Sequence, residues 1–236
     1  MDISIVIPVY NEEKRILDSL KKIIQFLKLR KHNYEIIIVD DGSSDKTIEV
    51  ANSLKNKKIN VLKNNVNKGK GYSVRKGILS ATKELILFTD ADLSAPIDEL
   101  DVFLDIIKQY DVVIGSRGLK ESNVIIHQPF FREFSGKVFN LIVQLFVIRG
   151  IKDTQCGFKL FKKGVAHGIF TKQRLDGFSF DVEVIYLAKK YGYNIKEQPV
   201  RWLNNKDTKV TLLKDGVKMF LDITRIRWND LFSKYD

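Results

Sequence analysis

Cysteine is almost missing from this 236-residue chain, where Cys156 stands alone. No intrachain disulfide framework can form, and a reducing compartment is the simpler assumption. Histidine is equally scarce: His32, His127 and His167 are scattered, with no pair at metal-ligand spacing. No run of about 20 apolar residues occurs, which excludes a transmembrane helix within this sequence. Met1 to Val9 run straight into a strand pattern without a basic leader or a small-residue cleavage site, so no signal peptide is expected. Repeats, low-complexity tracts and linkers are absent too, which leaves one domain over 1–236. Acid is in deficit. Against 40 Lys and Arg stand 29 Asp and Glu, and the net charge of +11 calls for an anionic partner: nucleotide phosphates, nucleic acid or a membrane surface.

What is present is an alternation of strand and helix patterns. Ile3 to Val9, Tyr34 to Val39, Ile59 to Lys63 and Leu85 to Thr89 are short apolar, mostly β-branched runs. Between them, Glu12 to Leu29, Lys46 to Leu54 and Tyr72 to Thr82 carry helical patterns. Strands separated by helices predict a parallel, Rossmann-like sheet with right-handed crossovers. Ile97 to Gln109 reads as a further helix and Val112 to Gly115 as a further strand. Then the alternation breaks. Pro129 to Ile148 reads as a helix apolar on most sides, either buried or lying against something greasy. Asp153 to Phe161 reads as a loop leading into a strand, Phe180 to Tyr191 as a helix, Ile195 to Trp202 as a strand and Lys214 to Phe232 as an amphipathic helix. A C-terminal elaboration on an α/β sheet is the expected fold class.

Chemistry concentrates at strand ends. After Leu85 to Thr89 come Asp90 and Asp92, one residue apart, able to offer oxygens to a hard divalent cation that also binds phosphates. A polar turn of Asp, Ser and Pro is the simpler alternative. Pro8, Tyr10, Asn11 and Glu12 close the first strand, and Asp40-Asp41 the second. In parallel sheets ligands bind outside the carboxyl ends of the strands, so three polar clusters share one rim.

These stretches resemble the family 2 glycosyltransferases: Val6-Ile7-Pro8-Val9-Tyr10-Asn11-Glu12, Ile38-Val39-Asp40-Asp41-Gly42-Ser43, Asn67-Lys68-Gly69-Lys70-Gly71 and Thr89-Asp90-Ala91-Asp92. The resemblance implies a GT-A fold with a nucleotide-sugar half at 1–120 and an acceptor half at 121–236. It implies that Pro8, Tyr10, Glu12, Val39, Asp40, Asp41, Lys68, Lys70, Asp90, Ala91 and Asp92 frame the nucleotide, and that Asp90 and Asp92 hold Mg²⁺ or Mn²⁺. Asp153-Thr154-Gln155-Cys156-Gly157-Phe158-Lys159 and Phe178-Ser179-Phe180-Asp181-Val182-Glu183 are similar to polyprenyl-phosphate glycosyltransferases, most of all the dolichyl-phosphate β-glucosyltransferases. UDP-glucose as donor, a polyprenyl phosphate as acceptor and inversion at the anomeric carbon follow from that likeness. GDP-mannose as donor, or a glycan hydroxyl as acceptor, are the nearest alternatives.

A lipid monophosphate carries about −1.5 to −2 charges and is already nucleophilic, so cationic positioning matters more than a base. Arg117, Arg132 and Arg201, with Ser135, are the candidates, Arg117 also as a catalytic residue. Asp153, Gln155 and Asp181 are ambiguous between sugar contacts and structure, and Cys156 reads as packing. Nucleic acid is not an expected partner, because carboxylates at three strand ends repel a phosphate backbone. Lacking an apolar span, the chain is expected to be peripheral at the cytoplasmic face of a membrane, through its basic surface and its apolar helices.

Overall fold

The computed structural model describes residues 1–124, 130–203 and 212–236, and only the backbone of 124, 130–135, 137 and 212–217. The strands β1 (Asp2–Val9), β2 (Asn33–Asp40), β3 (Ile59–Lys63) and β4 (Leu85–Thr89) pair in parallel, as their alternation with helices requires. Helices α1 (Ile16–Leu29), α2 (Thr47–Asn52) and α3 (Lys70–Ser80) join them. The helical pattern from Glu12 begins as a turn, with the Glu12 carbonyl accepting from Arg15 and Ile16, and α1 follows.

Successive side chains of a strand point to opposite faces, and two cores form accordingly. Ile3, Ile5 and Ile7 of β1 join Ile36 and Ile38 of β2 beneath α1. Val6, Ile37, Val39 and Phe88 face the other way, against α3. Gly77 lets α3 lie close: a Cβ there would stand 2.4 Å from Val6 Cγ1 and 2.9 Å from Val39 Cγ2.

A 3₁₀ turn, Ile97–Glu99, leads into α4 (Leu100–Ile106), then β5 (Val112–Ser116), β6 (Asn123–Val124) and α5 (Phe130–Phe146). Next come β7 (Phe158–Lys162), α6 (Lys163–Lys172), α7 (Phe180–Lys190), β8 (Ile195–Pro199), β9 (Arg201–Trp202) and α8 (Leu212–Leu231). The seven-stranded sheet runs β3-β2-β1-β4-β7-β5-β8, so both halves of the chain contribute to it.

One strand departs from the parallel reading. β7 runs antiparallel to both β4 and β5, with Thr89 opposite Phe158 and Ile114 opposite Lys159. Its direction carries the start of β7, and the loop 153–157 before it, to the rim where β4 and β5 end. The expected strand Ile195 to Trp202 is also divided. Val200 turns into the core, its N–H bonded to the Ser116 carbonyl at 3.2 Å, and β9 leaves to pair with β6. Among the described residues no helix is long and apolar enough to cross a membrane.

Candidate active site

Two turns are knitted together at the first corner of the rim. Asn11, in the left-handed region at φ 53°, donates its N–H to Ser43 Oγ at 2.9 Å, and its side-chain oxygen accepts from the Ser44 N–H at 2.8 Å. The Glu12 N–H donates to Thr47 Oγ1 at 2.7 Å, while its carboxylate pairs with Arg15 at 2.8 Å. The β1–α1 and β2–α2 turns thus form one wall, with Tyr10 exposed upon it and Pro8 beside Val39 in register. Asp40 Oδ1 accepts from the Ser43 N–H at 3.1 Å.

Four expected nucleotide contacts have their side chains engaged within the protein. Val39 and Ala91 are buried in the two cores, so at the rim they offer backbone only. The Asp41 carboxylate is buried and accepts from the N–H groups of Lys68 at 2.9 Å and Gly69 at 2.8 Å, and from Asn64 Nδ2 at 2.8 Å. These bonds tie Asp41 to the basic loop. Lys68 folds back over the Tyr72 ring, 4.6 Å from its centre.

The same loop is clasped from the far side. The Tyr72 N–H donates to the Asp176 carbonyl at 3.2 Å, and Gln173 Nε2 donates to the Gly71 carbonyl at 3.0 Å. Gly69, at φ 104°, has no room for a side chain, since a Cβ would stand 2.3 Å from the Asp176 oxygen. Glu183, fully buried, holds the clasp by accepting from the Arg174 and Leu175 N–H groups at 3.1 and 2.8 Å and from the Tyr235 hydroxyl at 2.6 Å. Lys70 is thereby fixed at the first turn of α3, and its Nζ reaches Asp90 Oδ1 at 2.7 Å.

Asp90 and Asp92 stand in a tight turn closed by the Leu93 N–H on the Asp90 carbonyl at 3.2 Å, with Leu93 itself at φ 48°. Gly157 makes the room. Its carbonyl accepts the Asp90 N–H at 3.2 Å, and a Cβ on it would lie 1.9 Å from Asp90 Oδ2. Burial, and then the neighbouring Asp90 charge, raises the Asp92 carboxyl above its ordinary value. Burial works against the Lys70 ammonium, but Asp90 and Asp181 outweigh it and hold the proton on. Crowded carboxylates with an ammonium drawn onto one of them fit a hard divalent cation at this pair. Among the described residues no cluster of three ligating side chains occurs, so phosphate oxygens would have to complete such a site.

The loop 153–157 also explains the ambiguous residues. Asp153 binds Arg117 as a fork, Nε to Oδ2 at 2.6 Å and Nη2 to Oδ1 at 2.9 Å, and accepts the Arg117 N–H as well. Burial pushes the Asp153 carboxyl up, but Arg117 and these hydrogen bonds outweigh it and hold it below the usual range. The Arg117 guanidinium stacks over Trp202, 4.8 Å from the ring centre. Glu197 secures the loop from β8, accepting the Lys152 and Asp153 N–H groups. Asp181 belongs to a buried ion pair with Lys159, whose ammonium also donates to the Cys156 carbonyl at 2.6 Å. Cys156 is wholly buried and its thiol is pushed up to about 12, so it is packing. Gln155 donates its N–H to Asp153 Oδ1 at 3.1 Å.

Arg201 pairs with two acids: its Nε meets Glu99 at 2.5 Å and its Nη2 meets Asp98 at 2.6 Å, which ties β9 to the turn before α4. Arg132 and Ser135 lie on α5, but their side chains are outside the described residues, as is His127. The sequence motifs contain Gly157, Lys159 and Glu183 but give them no role of their own, and Glu197 lies outside the motifs. Lys159 and Glu183 signal themselves only by burial, which no local pattern reveals.

Residues 4–170 match Glycosyl transferase family 2. A dolichyl-phosphate beta-glucosyltransferase of Dictyostelium discoideum is 36% identical over 98% of this chain and 75% of that protein. The enzyme of that name from Homo sapiens is 33% identical over 95% and 74%. Among solved structures, mannosyl-3-phosphoglycerate synthase from Rubrobacter xylanophilus has a TM-score of 0.70 at 19% identity, covering 99% of this chain and 75% of that one. Glucosyl-3-phosphoglycerate synthase from Mycobacterium tuberculosis, in complex with Mn²⁺ and UDP-glucose, has a TM-score of 0.69 at 16% identity, covering 99% and 79%. The fold common to them is GT-A.

Proposed function

The chain belongs to glycosyl transferase family 2 and is a hexosyltransferase, and from that premise we propose that it moves glucose from UDP-glucose to a polyprenyl, dolichyl-type phosphate with inversion. The observation that carries the reading is the meeting of two motifs at one rim: Gly157 of the Asp153–Lys159 run lies against Asp90, where Lys70 already supplies a cation. Curated relatives whose names state glucosyl transfer to dolichyl phosphate match nearly the whole chain.

In this reading Asp90 and Asp92 hold a divalent cation, Mn²⁺ or Mg²⁺, which when bound offsets the charge of the departing diphosphate. Support for the metal and for a uridine nucleotide comes from the fold neighbour carrying Mn²⁺ and UDP-glucose. Pro8, Tyr10, Glu12 and Asp40 frame base and ribose, with Asp41 acting through the loop that carries Lys68 and Lys70. An acceptor phosphate oxygen attacks the anomeric carbon from the face opposite the nucleotide. The new C–O bond forms as the bond to UDP breaks, and UDP leaves with both electrons. No proton must be removed from a phosphate dianion, so cations and not a base are needed on the acceptor side. Arg117, its plane set by Asp153, is the proposed cation, with Arg132 and Ser135 assigned on sequence grounds.

The helices α5 and α8 pack on each other beside this rim. Asn140 of α5 donates to the Lys152 carbonyl at 2.6 Å, and Lys218 of α8 lies 3.8 Å from the Cβ position of Gly177. Both helices expose apolar residues, among them Leu141, Leu145, Trp228 and Leu231. The reading includes a peripheral seat on the cytoplasmic face of a membrane, which these exposed side chains support, with the acceptor chain running along these helices.

The test is transfer from a panel of radiolabelled nucleotide sugars, with and without polyprenyl phosphate and with Mn²⁺, Mg²⁺ or EDTA. Label should pass from UDP-glucose to the lipid only when metal is present. Preference for GDP-mannose, transfer only to sugar hydroxyls, or full activity in EDTA would each overturn the corresponding part.

A further inference from the structure

We propose that Lys70 is a resident counter-cation of the Asp90–Asp92 pair: it holds Asp90 while no metal is bound and crosses to the donor diphosphate when metal arrives. The proposal rests on the reading of those carboxylates as the metal pair, and it assigns a coupling between metal and nucleotide beyond the one that shared phosphate ligation alone would give.

The backbone around Lys70 is pinned at both ends. Asp41 holds the Lys68 and Gly69 N–H groups, and Gln173 and the Asp176 carbonyl hold Gly71 and Tyr72. The side chain is the part left to move. With 23% of Lys70 and 27% of Asp90 open to solvent, an ion can reach the pair without a loop opening. The Nζ lies 5.4 Å from the centre of the Phe88 ring. Of the two other carboxylates near it, Asp181 is already paired with Lys159 and Asp92 belongs to the pair the metal would take. Three positive charges, an ammonium and a divalent ion, cannot share one carboxylate at close range without strong repulsion. A diphosphate on the same rim offers the displaced ammonium a better partner than solvent does. Metal should therefore bind weakly alone and strongly with UDP, and linkage requires UDP to gain by the same factor.

The test measures Mn²⁺ binding by electron paramagnetic resonance of the free ion, with and without UDP, in wild type, Lys70→Met and Lys70→Arg. In Lys70→Met, Mn²⁺ alone should bind roughly tenfold or more tightly, since a neighbouring unit charge has been removed. The ratio of Mn²⁺ affinities with and without UDP should shrink by about the same factor. Lys70→Arg, which keeps the charge, should retain most of the wild-type ratio. Thermal unfolding verifies that each variant is folded. Unchanged or weaker binding of Mn²⁺ alone in folded Lys70→Met overturns the counter-cation role, while leaving the metal pair standing. No Mn²⁺ binding to wild type even with UDP overturns the metal pair itself, and this proposal with it.

Discussion

Gly157 lacks a side chain because the Asp90 carboxylate occupies the space one would need. Its carbonyl is fixed to the Asp90 N–H, so the two backbones cannot part and only the part-exposed Asp90 side chain can give way. Gly157→Ala should fold, yet drive Asp90 off its position by an ångström or more. A misplacement of that size costs about a hundredfold in rate, and the expected phenotype is a loss of that order in kcat with the thermal midpoint nearly unchanged. Turnover assays beside a melting curve decide it; wild-type turnover would show that Asp90 is not held to its geometry by Gly157. At this scale the place of Asp90 and Asp92 at the end of β4 was legible, while their reading as a metal pair came from the resemblance that the neighbouring motifs carry. The partners of Asp41 and Arg201 were not. Residue type declares a charge, but its partner, whether the Lys68–Gly69 backbone or Asp98 and Glu99, is set by tertiary folding.

Elements were legible to the degree that their patterns are local. β1 to β4 follow from β-branched runs, and α1 from apolar residues at helical spacing. The direction of β7 is invisible locally, since a short strand has the same sequence pattern whichever way it runs. The helix α6 escaped too: Val165, Ala166, Ile169 and Phe170 mark its buried face, but Gly164 and Gly168 dilute the pattern. What β7 contributes is the loop 153–157, and the Asp153–Arg117 fork can be tested as an element-level brace. Asp153→Asn leaves a largely buried guanidinium with a poorer partner, a cost of about 2–3 kcal/mol. The pH dependence has a definite sign. The folded carboxyl lies below its unfolded value, so the unfolded chain takes up the proton first as pH falls. The brace is therefore at full strength above about pH 5 and is lost as pH drops through the lowered folded value. Denaturant titrations across the acid range should show a shallower acid limb in Asp153→Asn than in wild type. Parallel limbs would mean the fork adds nothing to stability.

For the molecule as a whole, the open question is where its apolar outer surface goes. The helix pattern at Pro129 to Ile148, apolar on most sides, left burial and a greasy partner both open. In the fold the helix has two flanks: Val143 is buried, while Val138, Leu141, Leu145 and Phe146 are exposed. Leu221, Trp228 and Phe232 form a second exposed stripe on and just past α8, with Arg225 and Arg227 between them. A stripe of Trp, Phe and Leu flanked by Arg is suited to an anionic lipid interface, the aromatic body in the acyl boundary and the guanidinium at the headgroups. Burying Leu145 and Trp228 in that boundary is worth about 3–6 kcal/mol together, enough to decide membrane residence. The double variant Leu145→Glu, Trp228→Glu should therefore fail to float with anionic liposomes that carry the wild type. Because neither side chain packs in the core, its thermal midpoint and its affinity for UDP should stay near wild type. Transfer to a short-chain polyprenyl phosphate dispersed in detergent should persist, while transfer to long-chain lipid in vesicles falls. Flotation equal to wild type would remove these helices from the membrane contact. Loss of transfer to the short-chain acceptor as well would mean that they shape the site and not the seat on the bilayer.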